Sequence, residues 1–307
     1  MTQPFSERVG GPAWRAEAVA WIEERVAVAG RRITGEVEQP RIRPWSTQLI
    51  VPTDAGRLWF KAGCAAQTFE PGLQQVLADL VPDAFDRPFA TDLDRGWMLT
   101  VDRGEVWGEQ QEPSSDAWAG VVRRTAEIQR AVAGSGRALL ATGLPDCSPS
   151  TVVDRFDGLV DELDAAADIR ASRPRVVDAV ARLTESPIPP SWQHGDLHPW
   201  NVFAVDGALR LFDLGDAQWA HPIEVLRVPH AFVEDTAELT WRPIAEAWAD
   251  VWDLTWDDLS DEWEAAGVTH AVNRCDTWVA CLAEASSEEL QEWGDAPLHH
   301  LRRVLPQ

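Results

Sequence analysis

Apolar residues recur at helical spacing near the start of the chain, at Trp14, Ala18, Trp21, Ile22 and Val26, between Pro12 and Gly30. Proline suits a first helical turn and glycine ends helices, so the pattern predicts an opening helix. From Ile33 to Phe60 the period shortens to two. It predicts a weak strand over 34–38, a stronger one over 45–51, the turn Pro52-Thr53-Asp54-Ala55-Gly56, and a strand over 57–61, arranged as antiparallel hairpins. A helix over 67–80 follows, with Leu73, Val76, Leu77 and Leu80 on one face and Pro71 near its start. Strands over 87–91 and 96–101 then flank the turn 92–95.

Beyond that point the helical period dominates. Ser114 or Ser115 caps a helix carrying Trp118, Val121, Val122, Ala126 and Ile128. Ser148-Pro149 opens another, and Pro174 a third with Val176, Val177, Val180 and Leu183. Trp241, Trp248 and Trp252 share helical spacing, and Thr255 starts a further segment leading to Trp263. Strands gathered first and helices afterwards indicate an α+β fold. The change of period places a boundary near Val101, giving parts 1–101 and 102–307.

One stretch interrupts the helices. After Pro187-Ile188-Pro189-Pro190, which excludes helix, the chain reads His194-Gly195-Asp196-Leu197-His198-Pro199-Trp200-Asn201, an ordered loop. A hairpin follows, with 202–205 and 208–212 as strands and Asp206-Gly207 as its turn. Pairing Val205 with Ala208 brings Asn201 and Asp213 to the same end of the ribbon, about 5 Å apart at Cβ. Two oxygen donors therefore meet. A small hard cation such as Mg²⁺ prefers such donors and takes further ligands from substrate phosphates. Asp196 stands beside that ion.

Composition narrows the chemistry. The formal net charge is −23, which argues against nucleic-acid and anionic-membrane partners. The polar N-terminus offers no apolar signal region, and no run is long enough to span a bilayer. Cys64, Cys147, Cys275 and Cys281 are widely spaced, as expected of free thiols in a reducing cytoplasm. Lys61 is the single lysine in a chain with 17 Trp and no Tyr. It ends a predicted strand, where a compact ammonium could meet a phosphate in a way arginine does not.

The segments HGDLHPWN and FDLGD resemble the catalytic core of the aminoglycoside phosphotransferase and choline kinase-like families, relatives of the protein kinases. Gly195 stands where protein kinases carry arginine, and Leu214 where they carry phenylalanine. The resemblance implies a two-lobed kinase fold, a small antiparallel-sheet lobe on a larger helical one, and transfer of a phosphoryl group from ATP with Mg²⁺. It implies that Asp196 orients and deprotonates an acceptor hydroxyl and that Asn201 and Asp213 hold the metal. Lys61 would meet the nucleotide phosphates and pair with Glu70, whose other reading is a carboxylate favoured at a helix start. No glycine-rich loop is present. Arg43-Pro44-Trp45-Ser46-Thr47 occupies its place, so Ser46 and Thr47 would contact phosphate oxygens. The edge 98–102 would read adenine through backbone groups of Thr100 and Val101, with Met98 or Leu99 on the ring.

Other readings stay open. His194, Asp196 and His198 at alternating positions suit a metal-dependent hydrolase. A silent nucleotide-binding regulator would have lost part of the catalytic set, yet Lys61, Asp196, Asn201 and Asp213 are all present. Between Glu234 and Asp295 there are seventeen Asp and Glu against two Arg. This acidic, Trp-rich part leans towards a cationic small-molecule acceptor such as an aminoglycoside or amino sugar, although core and solvated surface account for most of it.

Overall fold

The opening pattern becomes structure where it is densest. In the computed structural model, which describes residues 3–110, 114–205 and 207–306, a short helix α1 (Phe5–Gly10) precedes α2 (Pro12–Val28). Trp14, Ala18, Trp21, Ile22 and Val26 form the buried face of α2, and Gly30 takes φ +71° just beyond it. That face lies on a five-stranded antiparallel sheet of β1 (Glu38–Ile42), β2 (Ser46–Thr53), β3 (Gly56–Gly63), β4 (Ala90–Asp92) and β5 (Trp97–Val101), ordered β1-β2-β3-β5-β4. Trp14, Trp21, Phe60 and Trp97 meet edge-on at 5.4–6.1 Å between ring centroids. Such pairs add about 1 kcal/mol each beyond the area they bury.

The weak strand expected over 34–38 is displaced. Only an isolated bridge, Ile33 to Thr53, forms there, and β1 begins at Glu38. β1 is mostly exposed and bulges between Glu38 and Arg41, around Pro40. An edge strand with one wet face and a proline carries little apolar alternation, so its position is set by pairing with β2.

Helix α3 (Glu70–Leu80) connects β3 to β4. Its Leu73 and Leu77, with Phe69 and Phe85, join the larger core rather than the core beneath the sheet. After β5 come α4 (Trp107–Gln110), α5 (Ser115–Val132), α6 (Gly136–Leu140), α7 (Pro149–Glu162), α8 (Ala167–Ala171) and α9 (Arg173–Thr184). Ser114 caps α5 by accepting from the Ala117 N–H at 3.2 Å. Two small ribbons then frame the loop 194–201. β6 (Ser191–Gln193) pairs with β9 (Gln218–Ala220), and β7 (Val202–Val205) pairs with β8 (Ala208–Leu211). The second has the expected register, Val205 opposite Ala208; of its turn, Asp206 lies outside the described residues. The remainder is helical: α10 (Arg227–Glu234), α11 (Trp241–Ala249), α12 (Ser260–Leu282), α13 (Ser287–Trp293) and α14 (Ala296–Leu301). Among the described residues no helix is long and apolar enough to cross a membrane.

Candidate active site

β3 delivers Lys61 to a cleft of about 470 Å³ between the sheet and the β7–β8 ribbon. Lys61 is 8% exposed, and its Nζ lies 2.7 Å from Glu70 Oε1 and 2.6 Å from Asp213 Oδ1. Burial opposes the ammonium charge, but the two carboxylates outweigh it and raise its pKa. Asp213 shows the converse: burial would raise its carboxyl, and Lys61 holds it down instead. Glu70 also accepts from the Leu214 N–H at 2.8 Å, tying the start of α3 to the segment after Asp213. Asp213 adopts φ +60°, a left-handed conformation that aspartate tolerates better than most residues and that is found at strained functional turns.

The loop 194–201 is fixed from behind. His194 is fully buried; its Nε2 donates to the Phe212 carbonyl at 3.0 Å, and its Nδ1 accepts from the Asp196 N–H at 3.4 Å. Desolvation lowers its pKa and keeps it neutral. With both ring nitrogens engaged by backbone, His194 has no lone pair for a metal. This counts against His194 as a ligand in the hydrolase reading, and among the described residues no three or more His, Cys, Asp or Glu cluster as a metal cage. Gly195 takes φ +80° and donates its N–H to Gln193 Oε1 at 2.7 Å.

Asp196 faces the open side. His198 Nδ1 accepts from the Trp200 N–H at 3.2 Å, and its Nε2 lies 3.2 Å from Asp196 Oδ2 and 3.1 Å from the Asn201 amide nitrogen. Arg274 reaches within 4.0 Å of Asp196 Oδ1 while its other nitrogen binds Asp216 at 2.9 Å. Burial alone would raise the Asp196 carboxyl. The His198 hydrogen bond and the Arg274 charge prevail and hold it at about 2. Asn201 donates its amide to the Asp196 carbonyl at 2.9 Å, and its backbone carbonyl accepts from the Phe212 N–H at 3.2 Å. With its amide nitrogen turned to Asp196 and His198, Asn201 Oδ1 accepts no hydrogen bond among the described residues. An amide oxygen and a carboxylate form a sparse, hard donor set, suited to a Mg²⁺ ion that completes its shell with phosphate oxygens and water.

Of the other expected residues, Met98, Thr100 and Val101 line the cleft, as do Phe203 and Phe212, whose rings stack at 4.3 Å. Leu99 faces the opposite side, into the core beneath the sheet. The Asp102 N–H donates to the Arg57 carbonyl, and Trp59 pairs with Thr100, so the backbone groups of Thr100 point into the ladder. Those of Val101 point outward, past the end of β4. At this edge only Val101 keeps unpaired backbone groups, and Thr100 is corrected to a ladder residue.

Ser46 and Thr47 are a second correction, because neither lines the cleft. Thr47 shares the core-facing side of β2 with Leu49 and Val51; its hydroxyl donates to the Arg41 carbonyl at 2.9 Å and accepts from Gln39. Ser46 is 2% exposed. Gln48, on the other face of β2, lines the cleft instead. Sequence reasoning also missed Arg274, although it is one of two arginines among seventeen carboxylates. The C-terminal carboxylates Glu234, Asp235 and Glu264 are exposed, and Trp241, Trp256 and Trp263 pack on one another, so these indoles build core.

A family profile described as a phosphotransferase enzyme family (APH) matches residues 72–226. No curated protein sequence matches the chain. Among solved structures, macrolide 2'-phosphotransferase type I is 14% identical, covers 94% of this chain and 97% of its own, and superposes with a TM-score of 0.64. Choline kinase LicA from Streptococcus pneumoniae is 15% identical over the same shares, also at 0.64. APH(2")-IIia, solved with GDP and kanamycin, is 14% identical over 93% of this chain and 98% of its own, at 0.61. At these identities the likeness shows a shared kinase-like fold.

Proposed function

Because the chain belongs to the phosphotransferase enzyme family and is a small-molecule kinase, we propose that it transfers the γ-phosphoryl group of ATP, with Mg²⁺, to a hydroxyl of a small molecule. The observation that carries this is Lys61 held between Glu70 and Asp213 at 2.7 and 2.6 Å, together with a loop carboxylate, Asp196, held down to about 2. The resemblance to structures solved with GDP or AMP supports a nucleotide in the cleft. In this reading residues 1–101 form the nucleotide-side lobe and 102–307 carry the acceptor side.

Val101 offers its outward N–H and C=O to the base, and Met98 packs against the ring. Lys61, positioned by Glu70, binds phosphate oxygens as a point charge. When bound, Mg²⁺ held by Asn201 and Asp213 neutralises charge on the phosphate oxygens. Asp196 accepts the hydrogen bond of the acceptor hydroxyl and aligns its oxygen with the γ-phosphorus. A new P–O bond forms there as the bond to the β–γ bridging oxygen breaks; ADP leaves with that electron pair, and the hydroxyl proton passes through Asp196 to solvent. A carboxylate whose pKa is about 2 is a weak base, so its main contribution is orientation.

The test is ATP consumption by purified protein across a panel of hydroxyl-bearing metabolites and antibiotics, with Asp196→Asn alongside. Turnover that vanishes in the variant while ATP binding persists is the expected result. Turnover retained by the variant would overturn the assignment.

A further inference from the structure

No glycine-rich loop covers the cleft, and the residues in its place do not reach it: Thr47 bonds the Arg41 carbonyl, and Ser46 is buried away from the cleft wall. The backbone of β2 offers little instead. It is laddered to β1 on one side and to β3 on the other, with Gln48 opposite both Arg41 and Lys61, so its N–H groups are engaged within the sheet. What β2 can still present is a side chain. Gln48 is the residue of β2 that lines the cleft; it is half-buried between the buried Thr47 and Leu49 and shares a sheet face with Lys61, as strand alternation requires. Directly opposite residues on antiparallel strands have Cβ atoms about 5 Å apart, so the Gln48 amide stands beside the Lys61 stem.

Other donors along the cleft are already committed. Arg57 pairs with Asp102 at 2.9 Å, and Arg103 and Arg210 share Asp86 at 2.7 and 2.9 Å. Gln74 donates to the Asp86 carbonyl at 2.9 Å, and Lys61 is held between Glu70 and Asp213. The Gln48 amide, by contrast, makes no hydrogen bond among the described residues. An amide nitrogen carries two N–H donors and no charge. It can therefore meet an anion without drawing Glu70 or Asp213 away from Lys61, as a guanidinium in the same place would. We infer that the Gln48 side-chain amide donates to the β- or γ-phosphate of the nucleotide seated beside Lys61, a role that a glycine-rich loop fills in protein kinases. The inference rests on the phosphotransferase reading above.

The test compares nucleotides that differ only in phosphate number. Purified full-length protein is titrated calorimetrically, with Mg²⁺ present, with ATP, ADP and AMP and with the matching guanine series, and each comparison stays within the series that binds more tightly. Gln48→Ala should weaken triphosphate binding about tenfold, the loss expected of one hydrogen bond to a charged group, while the monophosphate stays within about twofold. The diphosphate follows the triphosphate if the β-phosphate is the one met, and the monophosphate if it is the γ-phosphate. Gln48→Glu keeps the length of the side chain but carries the sign of the phosphates, so it should weaken triphosphate binding more than Gln48→Ala does. Gln48 has no partner to lose, so Tm should stay at the wild-type value; if Gln48→Ala fails to fold, Gln48→Glu decides the matter. Triphosphate affinity unmoved by the substitution, or an equal loss for triphosphate and monophosphate, overturns the inference and leaves the kinase reading intact. Wild-type protein that binds no nucleoside triphosphate overturns both. A phosphate-dependent loss in a protein that transfers no phosphoryl group upholds the role of Gln48 and sinks the kinase reading alone.

Discussion

A Cβ built on Gly195 would fall 1.9 Å from the carbonyl oxygen of Asp216, so the loop carrying Asp196 and the segment after Asp213 meet backbone against backbone. No side chain fits between them, which explains why the Arg of the protein-kinase motif is absent here. Gly195→Ala must therefore displace one segment and also bear the left-handed φ of +80°, which alone costs about 1–2 kcal/mol. We expect a lower Tm by calorimetry and a fall in kcat of about a hundredfold, since small misplacements of reacting groups cost that much. Wild-type Tm and kcat in this variant would show that the close approach is not needed.

Lys61 separates two carboxylates that are otherwise unpaired. Lys61→Met leaves Glu70 buried without a counter-charge, a change that costs about 3–5 kcal/mol when a buried pair is broken, while Asp213, a third exposed, adds little to that cost. Urea unfolding should show that loss. Lys61→Met with Glu70→Gln should be less destabilised than the two single effects summed. Lys61→Arg should not restore turnover, because a planar fork cannot occupy the position of a compact ammonium. Additive single effects would count against the coupling.

Arg274→Gln removes one of the charges that hold Asp196 at about 2 and should move its carboxyl back towards the ordinary value of 3.8, as followed by carbon NMR. Because the folded pKa is depressed, Asp196 contributes stability above the ordinary value, and that contribution is lost as pH falls from about 3.8 to about 2. The variant should narrow that window. It should also lower kcat more than it changes the KM for ATP, since Arg274 binds Asp216, approaches Asp196 and does not line the cleft that holds Lys61. An unmoved Asp196 titration would refute the role of Arg274.

Glu224 is buried between α12 and the segment after β9, with Thr269 donating at 2.7 Å and Asn273 at 3.1 Å. Burial pushes its carboxyl up to about 7, despite those bonds. A raised folded pKa gives stability that is full below the unfolded value near 4.5 and is lost as pH rises through about 7. The expected loss between pH 5 and 8 is a few kcal/mol at most. Glu224→Gln should flatten that dependence in denaturant melts taken at each pH, and an unchanged slope would rule Glu224 out as its source.

Much of this was legible in the sequence where a residue's role follows from local pattern or from a fixed spacing. The buried face of α2 follows from helical periodicity. The hairpin register follows from turn chemistry, and with it the approach of Asn201 to the segment before Asp213. Lys61 stood out as the lone lysine, and its pairing with Glu70 is the contact expected from the resemblance. The displaced strand β1, by contrast, has no apolar alternation to read.

What the chain by itself determined is the order of its elements and the chemistry of the loop 194–201, because both depend on neighbours close in sequence. Only the tertiary structure decided which face of β2 meets the cleft, turning Thr47 inward and Gln48 outward. It alone brought Arg274 from α12 to Asp196, and set Arg175, Arg227 and Arg303 around a common cavity with Glu234, Asp235 and Glu264. Those outcomes depend on how distant helices pack, and packing assigns each charge a partner or an opening that no spacing along the chain encodes.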